Sequence, residues 1–232
     1  MGVRVPLGAL GGYMITIQYL KNYEEMSRYV ATLVSIRIQS GEPFNIGTPT
    51  GGTPVGMYKE LVAKKLNWNK VHTFNLDEYV NIDHQHPQSY HNFMWENLHK
   101  YVDTNIHFPH VEYDTEIDAA GGLDLTILGI GTNGHIAFNE PGSEFGSMTR
   151  MVNLSQQTIA DNSRFFDSID QVPTQAITMG LHTIMKSRQV LLIAQGKKKL
   201  DILKKALWEK VTTDIPASIL QFHPNLRVFY CD

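Results

Sequence analysis

The sequence predicts an α/β protein, a single doubly wound, mostly parallel sheet with helices on both faces and Rossmann-like in plan. Three observations predict it. The apolar runs at 123–130 and 189–194 are nearly unbroken, the pattern of strands covered on both faces rather than wet on one. The first third of the chain alternates strand-like and helix-like spacing in the order β-α-β-α-β, which suits crossover units. The glycine-rich polar segments come directly after strands, which places candidate ligand loops at the strands' carboxyl ends.

Taken in order, residues 1–13 show no periodicity and read as an appended leader, with Met14 as the natural first residue. The first strand is expected over 14–19. Tyr23, Met26, Tyr29, Val30, Leu33, Val34 and Ile38 then recur at three- and four-residue spacing before Gly41, so 22–40 is an amphipathic helix. A strand over 43–47 follows. Thr53 and Pro54 are an N-cap and first-turn pair for a helix running to about Leu66, and 71–75 is the next strand. Helical patterns are expected at about 177–187 and 197–210, and a last strand at 226–230. No repeat, low-complexity stretch or linker divides residues 14–232, which read as one domain.

Composition narrows the function. Of 232 residues, 42% are hydrophobic and 19% charged, and 20 Lys and Arg against 23 Asp and Glu leave a formal net charge of −3. Such a balance lacks the broad basic surface that nucleic-acid binding rests on. No apolar run approaches the ~18 residues of a membrane span. The single cysteine, Cys231, excludes a disulfide framework or a cysteine metal site within one chain, and a reducing, cytoplasmic setting is expected.

Three loops carry the chemistry. Gly47-Thr48-Pro49-Thr50-Gly51-Gly52-Thr53-Pro54 joins a strand to a helix start; its glycines let backbone amides approach an anion, and the helix dipole and threonine hydroxyls add to the attraction. It is a candidate phosphate cradle, although the lysine of a nucleotide P-loop is missing. Phe74-Asn75-Leu76-Asp77-Glu78-Tyr79 sets two acids just past a buried strand, where a carboxylate can serve as a general base or merely shape a turn. In Leu128-Gly129-Ile130-Gly131-Thr132-Asn133-Gly134-His135-Ile136-Ala137-Phe138-Asn139-Glu140-Pro141-Gly142, a histidine able to carry protons near neutral pH is followed five residues on by a carboxylate. His84, His86, His91, His99, His107 and His110 lack the spacing of a helical zinc site and read as surface and helix-face residues. Met148, Met151, Met179 and Met185 read as fillers of core gaps.

Together, GTPTGGTP, FNLDEYV followed by HPQSYHNFM, LGIGTNGHIAFNEPG, NSRFF and VPTQAITMGL resemble the glucosamine-6-phosphate deaminase family from about residue 14 onward. The resemblance implies conversion of an amino sugar phosphate and water to fructose 6-phosphate and ammonia, without metal or organic cofactor. It implies that Asp77 moves a proton between C2 and C1 through an enediol-type intermediate, and that His135 opens the sugar ring, oriented and tuned by Glu140 and Asn133. Phosphate is then expected among Thr48, Thr50, Gly51, Gly52 and Thr53, with Arg164 and, from the Gly196-x-x-Lys199 spacing, Lys199.

The chain departs from the family in three places. Asn133 stands where members carry Asp. Residues 101–122 look short, with the helix before the 123–130 strand reduced to little. The C-terminal extension of the long, hexameric, allosteric members is missing, and the segment after NEP has Arg150 as its only basic residue beside the acidic Glu144. A monomer or small homo-oligomer with hyperbolic kinetics is therefore expected, and a hexamer is not. Galactosamine 6-phosphate, the C4 epimer, is the alternative substrate. A 6-phosphogluconolactonase-type hydrolase and a non-catalytic sugar-phosphate sensor are competing readings, against which LDEY and GHIAFNEP weigh.

Overall fold

The computed structural model describes residues 3–4 and 15–232; the expected leader falls outside them except for Val3 and Arg4. In chain order the elements are β1 (Val3–Arg4), β2 (Thr16–Tyr19), α1 (Tyr23–Gln39), β3 (Phe44–Thr48), α2 (Val55–Ala63), β4 (Val71–Asn75), β5 (Asp77–Tyr79), α3 (Tyr90–Asn97), β6 (Asn105–His107), α4 (Tyr113–Ala119), β7 (Leu125–Leu128), β8 (Arg150–Asn153), α5 (Gln156–Asn162), β9 (Gln175–Thr178), α6 (Leu181–Met185), β10 (Val190–Gln195), α7 (Lys197–Trp208) and β11 (Leu226–Cys231). The main sheet has the order β1-β2-β11-β10-β7-β3-β4-β6. All its pairings are parallel except that of β1 with β2.

The burial pattern explains the apolar strand runs. Val190, Leu192 and Ala194 of β10 and Val228 and Tyr230 of β11 pack on the side of α4, α6 and α7. Leu191, Ile193, Phe229 and Cys231 face the other way, against α1, α2 and α3. Alternate residues of one strand thus serve two cores, and the expected double winding is the result. At the start of α1, the Asn22 side chain accepts a hydrogen bond from Glu25 N, and Met26, Val30, Ala31, Val34 and Ile38 form its buried stripe.

Strand order locates the site. From β3 the chain moves outward to β4 and β6, then returns to the opposite side of β3 for β7 and continues to β10 and β11. Chain direction across the sheet reverses between β3 and β7, where the loops leaving their carboxyl ends part and open a crevice.

Several expectations need correction. Residues 177 and 178, expected to open a helix, instead end the strand β9, which lies between β5 and β8 in a second, antiparallel sheet. The helix begins only at Leu181, after an extended Gly180 (φ −74°, ψ 165°), where a Cβ would lie 2.1 Å from the Ser147 carbonyl oxygen. The α2 helix starts at Val55, with no side-chain cap from Thr53, and ends at Ala63. Residues 105–107 add an edge strand, and the shortened region retains α4, whose Tyr113 and Ile117 are buried. Met179 is fully buried, but Met148 and Met151 are 43% and 56% exposed and fill no core gap. His99 is buried, with Nε2 3.2 Å from Thr73 Oγ1. No helix among the described residues is long and apolar enough to cross a membrane.

Leu192 lies at the centre of β10 with no exposed surface. Leu192→Ala is expected to cost about 2–5 kcal/mol of unfolding free energy, read by denaturant titration, with the activity of the remaining folded protein unchanged.

Candidate active site

The three loops converge at the crevice. Leu76 N donates to the Thr48 carbonyl (3.3 Å), which joins the cradle to the turn before β5. Thr48 Oγ1 is directed inward, 3.2 Å from Asn75 Oδ1 and 3.4 Å from the Phe74 carbonyl. Gly51 and Gly52 are exposed, and Gly51 has φ +92°, open backbone that an anion can approach. Tyr23, which no motif marked, clasps the turn: its hydroxyl accepts from Gly56 N (2.7 Å) and donates to the Gly52 carbonyl (3.1 Å). Gly56 is needed there, because a Cβ would lie 2.3 Å from Ser27 Oγ.

Consecutive residues of a strand face opposite sides, and this separates the two acids of β5. Glu78 turns toward α3 and accepts from the backbone N–H groups of Tyr90 (3.0 Å) and His91 (2.9 Å). Asp77 is buried, and its register partner is Thr178 of β9. Burial, and after it the charge of Glu78, push the Asp77 carboxyl up to about 8, while a hydrogen bond from the Phe138 backbone pulls it down. The same Phe138 N–H lies 3.0 Å from Thr178 Oγ1, so the histidine loop rests directly on the small sheet beside Asp77. Tyr79, Tyr90, Phe138 and Phe166 supply the aromatic wall.

His135 is half-buried within its loop. Asn133 Oδ1 accepts from the backbone N–H of His135 (3.2 Å) and lies 2.7 Å from Nδ1. The backbone donor identifies that atom as oxygen, so Nδ1 carries the ring hydrogen and Nε2 is left as the acceptor. Burial first, and then Lys199, lower the His135 pKa, against smaller upward pulls from Glu140 and Asp161; the ring is held neutral. Gly131 lies under the ring, where a Cβ would be 2.2 Å from Cε1.

The expected site residues do not all assemble alike. Asn133 and His135 are brought together as expected. Glu140 acts on His135 only through its charge, because its carboxylate accepts from Ser155 N and Ser155 Oγ, both at 2.9 Å, and from Thr158 Oγ1 at the start of α5. Lys199 Nζ donates to the Ile130 carbonyl (2.7 Å) beside the same loop. The Thr48 hydroxyl is occupied beneath the cradle. Arg164 is exposed, with its guanidinium 4.7 Å above the Phe165 ring. Thr178 and Asp161 gave no signal in the sequence, since the Phe138 N–H on Thr178 and the charge of Asp161 near His135 are brought there only by the folded chain.

A family model described as glucosamine-6-phosphate isomerases/6-phosphogluconolactonase matches residues 21–228. The chain belongs to this family. It is 45% identical over 224 residues, 89% of this chain and 92% of the other, to a glucosamine-6-phosphate deaminase of Clostridium botulinum. It is 46% identical over 228 residues, 91% and 96% of the two chains, to one of Lysinibacillus sphaericus. Among solved structures, a monomeric glucosamine-6-phosphate deaminase shares 36% identity with a TM-score of 0.88, covering 93% of this chain and 96% of that one. The 6-phosphogluconolactonase of Trypanosoma cruzi, at 18% identity and a TM-score of 0.76 over 93% of each chain, shares the fold. The family's two named activities thus stand on one scaffold, and the loops must distinguish them.

Two outcomes test this geometry. Gly131→Ala is expected to displace the His135 ring and lower kcat/KM about 100-fold, since misplacement by an ångström can cost that much, with little change in the melting temperature. For Asp77, the folded pKa is raised above the unfolded one, so its contribution to stability is fully present below about 4 and is lost as pH rises toward about 8. Asp77→Asn is therefore expected to match the wild type in thermal stability at pH 4 and to exceed it increasingly up to pH 8, by at most about 1.4 kcal/mol per unit.

Proposed function

We propose that this chain converts glucosamine 6-phosphate and water to fructose 6-phosphate and ammonia. One observation carries the reading: a buried carboxyl with its proton held up to about 8 lies against the loop of a neutral imidazole whose Nδ1 hydrogen is tied to Asn133. The names of the relatives at 45% and 46% identity support it.

The steps follow from those groups. The exposed Gly51 and Gly52 backbone, the Thr50 and Thr53 side chains and Lys199 take the phosphate, with Thr48 supporting the turn from below and Arg164 adding charge from the surface. His135 Nε2 accepts the proton of the C1 hydroxyl and delivers it to the ring oxygen as the C1–O5 bond breaks. Asp77 removes the proton from C2 and returns it at C1, while a proton of the amino nitrogen passes to the C1 oxygen, leaving a hydroxyl at C1 and an imine at C2. Water adds to that carbon, and the nitrogen departs as ammonia. Asn133 fixes the tautomer on which the first transfer depends, and Glu140 favours the transient imidazolium through its charge. The protein would act in the cytoplasm as a monomer or small homo-oligomer; the solved relative at 36% identity is monomeric.

Purified protein is expected to release ammonia and fructose 6-phosphate in equal amounts from glucosamine 6-phosphate. Asp77→Asn is expected to slow exchange of the C2 hydrogen with solvent by about 10²–10⁴ while still binding the sugar phosphate, as measured by NMR in heavy water and by calorimetry. Hydrolysis of a phosphogluconolactone without ammonia release from the amino sugar would sink the reading.

A further inference from the structure

Behind Asp77, on the far side of β5, lies a built arrangement that the steps above do not use. Four donors converge on the Glu78 carboxylate: Tyr79 N (2.8 Å) and Tyr90 N (3.0 Å) on Oε1, His91 N (2.9 Å) and His91 Nδ1 (2.8 Å) on Oε2. Such a set suits a carboxylate and leaves no place for a proton on it. The α3 helix does not lack an ordinary cap, because the Ser89 hydroxyl already accepts from Asn92 N at 3.0 Å. The His91 ring is the only side chain of the four donors. It is clamped between the His84 ring (centroids 3.6 Å apart, 9° between planes) and the Phe108 ring (3.4 Å, 15°).

We propose that His91 is a positioning residue for Asp77 that acts through Glu78: the clamped imidazole fixes the Glu78 carboxylate against the start of α3, and so fixes both the face Asp77 presents to the crevice and the negative charge behind it. The proposal rests on the reading of Asp77 as the base. The groups facing this pair are few. His91 meets Glu78 and His84, and His99 lies beyond Phe108; burial holds the His99 pKa near 4, so that ring is neutral. The charge of Glu78 acts on Asp77, and the charge of Asp77 in turn helps to raise the pKa values of Tyr79, Tyr90 and Tyr113.

The two members of the relay must therefore act in opposite directions. Without its side-chain donor the Glu78 charge is less compensated, Asp77 keeps its proton to higher pH, and the acidic limb of kcat/KM moves up. Without that charge Asp77 ionises more readily, and the limb moves down. Each shift is expected to be about half a pH unit, as for a charge acting over several ångströms near a protein surface.

The test compares pH profiles of kcat/KM for the full chain and its variants, alongside thermal melts. His91→Phe, which keeps the ring stack, is expected to raise the limb, Glu78→Gln to lower it, and His91→Asn, which restores a donor near Nδ1, to return it toward the wild type. A purely structural role would lower melting temperatures and leave all limbs superimposed, and that result, or shifts of one sign in His91→Phe and Glu78→Gln, overturns the proposal. If His91→Phe fails to fold, His91→Leu, which also removes the donor and is expected to raise the limb in the same way, decides: an unmoved limb in it overturns the proposal. The underlying reading is tested separately: undiminished C2 exchange in Asp77→Asn removes the base itself, whereas lost exchange with unmoved limbs removes only the role of His91.

Discussion

The site depends on the divergence of the chain between β3 and β7. A parallel sheet wound in one direction would send successive loops to one side of the next strand and leave no crevice. Because the chain winds outward from β3 and then back past it to β7, the cradle after β3 and the histidine loop after β7 leave neighbouring strands and must part. Backbone amides that no strand can pair are exposed there, and anion recognition needs that exposure.

The small antiparallel sheet gives this crevice its chemistry. It places Asp77 opposite Thr178, and Thr178 receives the Phe138 N–H of the histidine loop. The carboxyl proposed as the base and the loop of the imidazole proposed as the shuttle are thereby joined through one strand pair. The two-residue period of β5 does the rest, turning one carboxylate to the crevice and its neighbour into the start of α3. A charge buried without partners would cost several kcal/mol. Glu78 avoids that cost with four donors, and Asp77 avoids it by keeping its proton. Burial raises the pKa of the Asp77 carboxyl and lowers that of the His135 imidazole, because in each case it disfavours the charged form.

Glu140 follows His135 by five residues but makes its contacts elsewhere. The chain turns at Ala137, where φ is +49°, and the carboxylate reaches the start of α5. It is tied to the segment that leads to Asp161, and both acids reach the imidazole only as charges. The amide of Asn133, two residues away, takes the position at Nδ1.

Residue pattern alone determined the fold class, the strands of the main sheet other than the short edge strands β1 and β6, and the loops that matter. Unbroken apolar runs such as 189–194 can be satisfied only between two layers of helices, and glycine-rich turns after strands have few structural uses. The family was legible because its motifs combine residues that ordinary loops do not. The second sheet was not legible: β5, β8 and β9 are three or four residues long, and the end of β9 read as helix because its apolar residues fit either period until pairing chose one. Nor could spacing separate the roles of Asp77 and Glu78, which differ by one residue and by the side of the strand they face. Their division of labour comes from partners distant in sequence, Thr178 and Phe138 for one and the start of α3 for the other, and only the tertiary structure brings those partners into place.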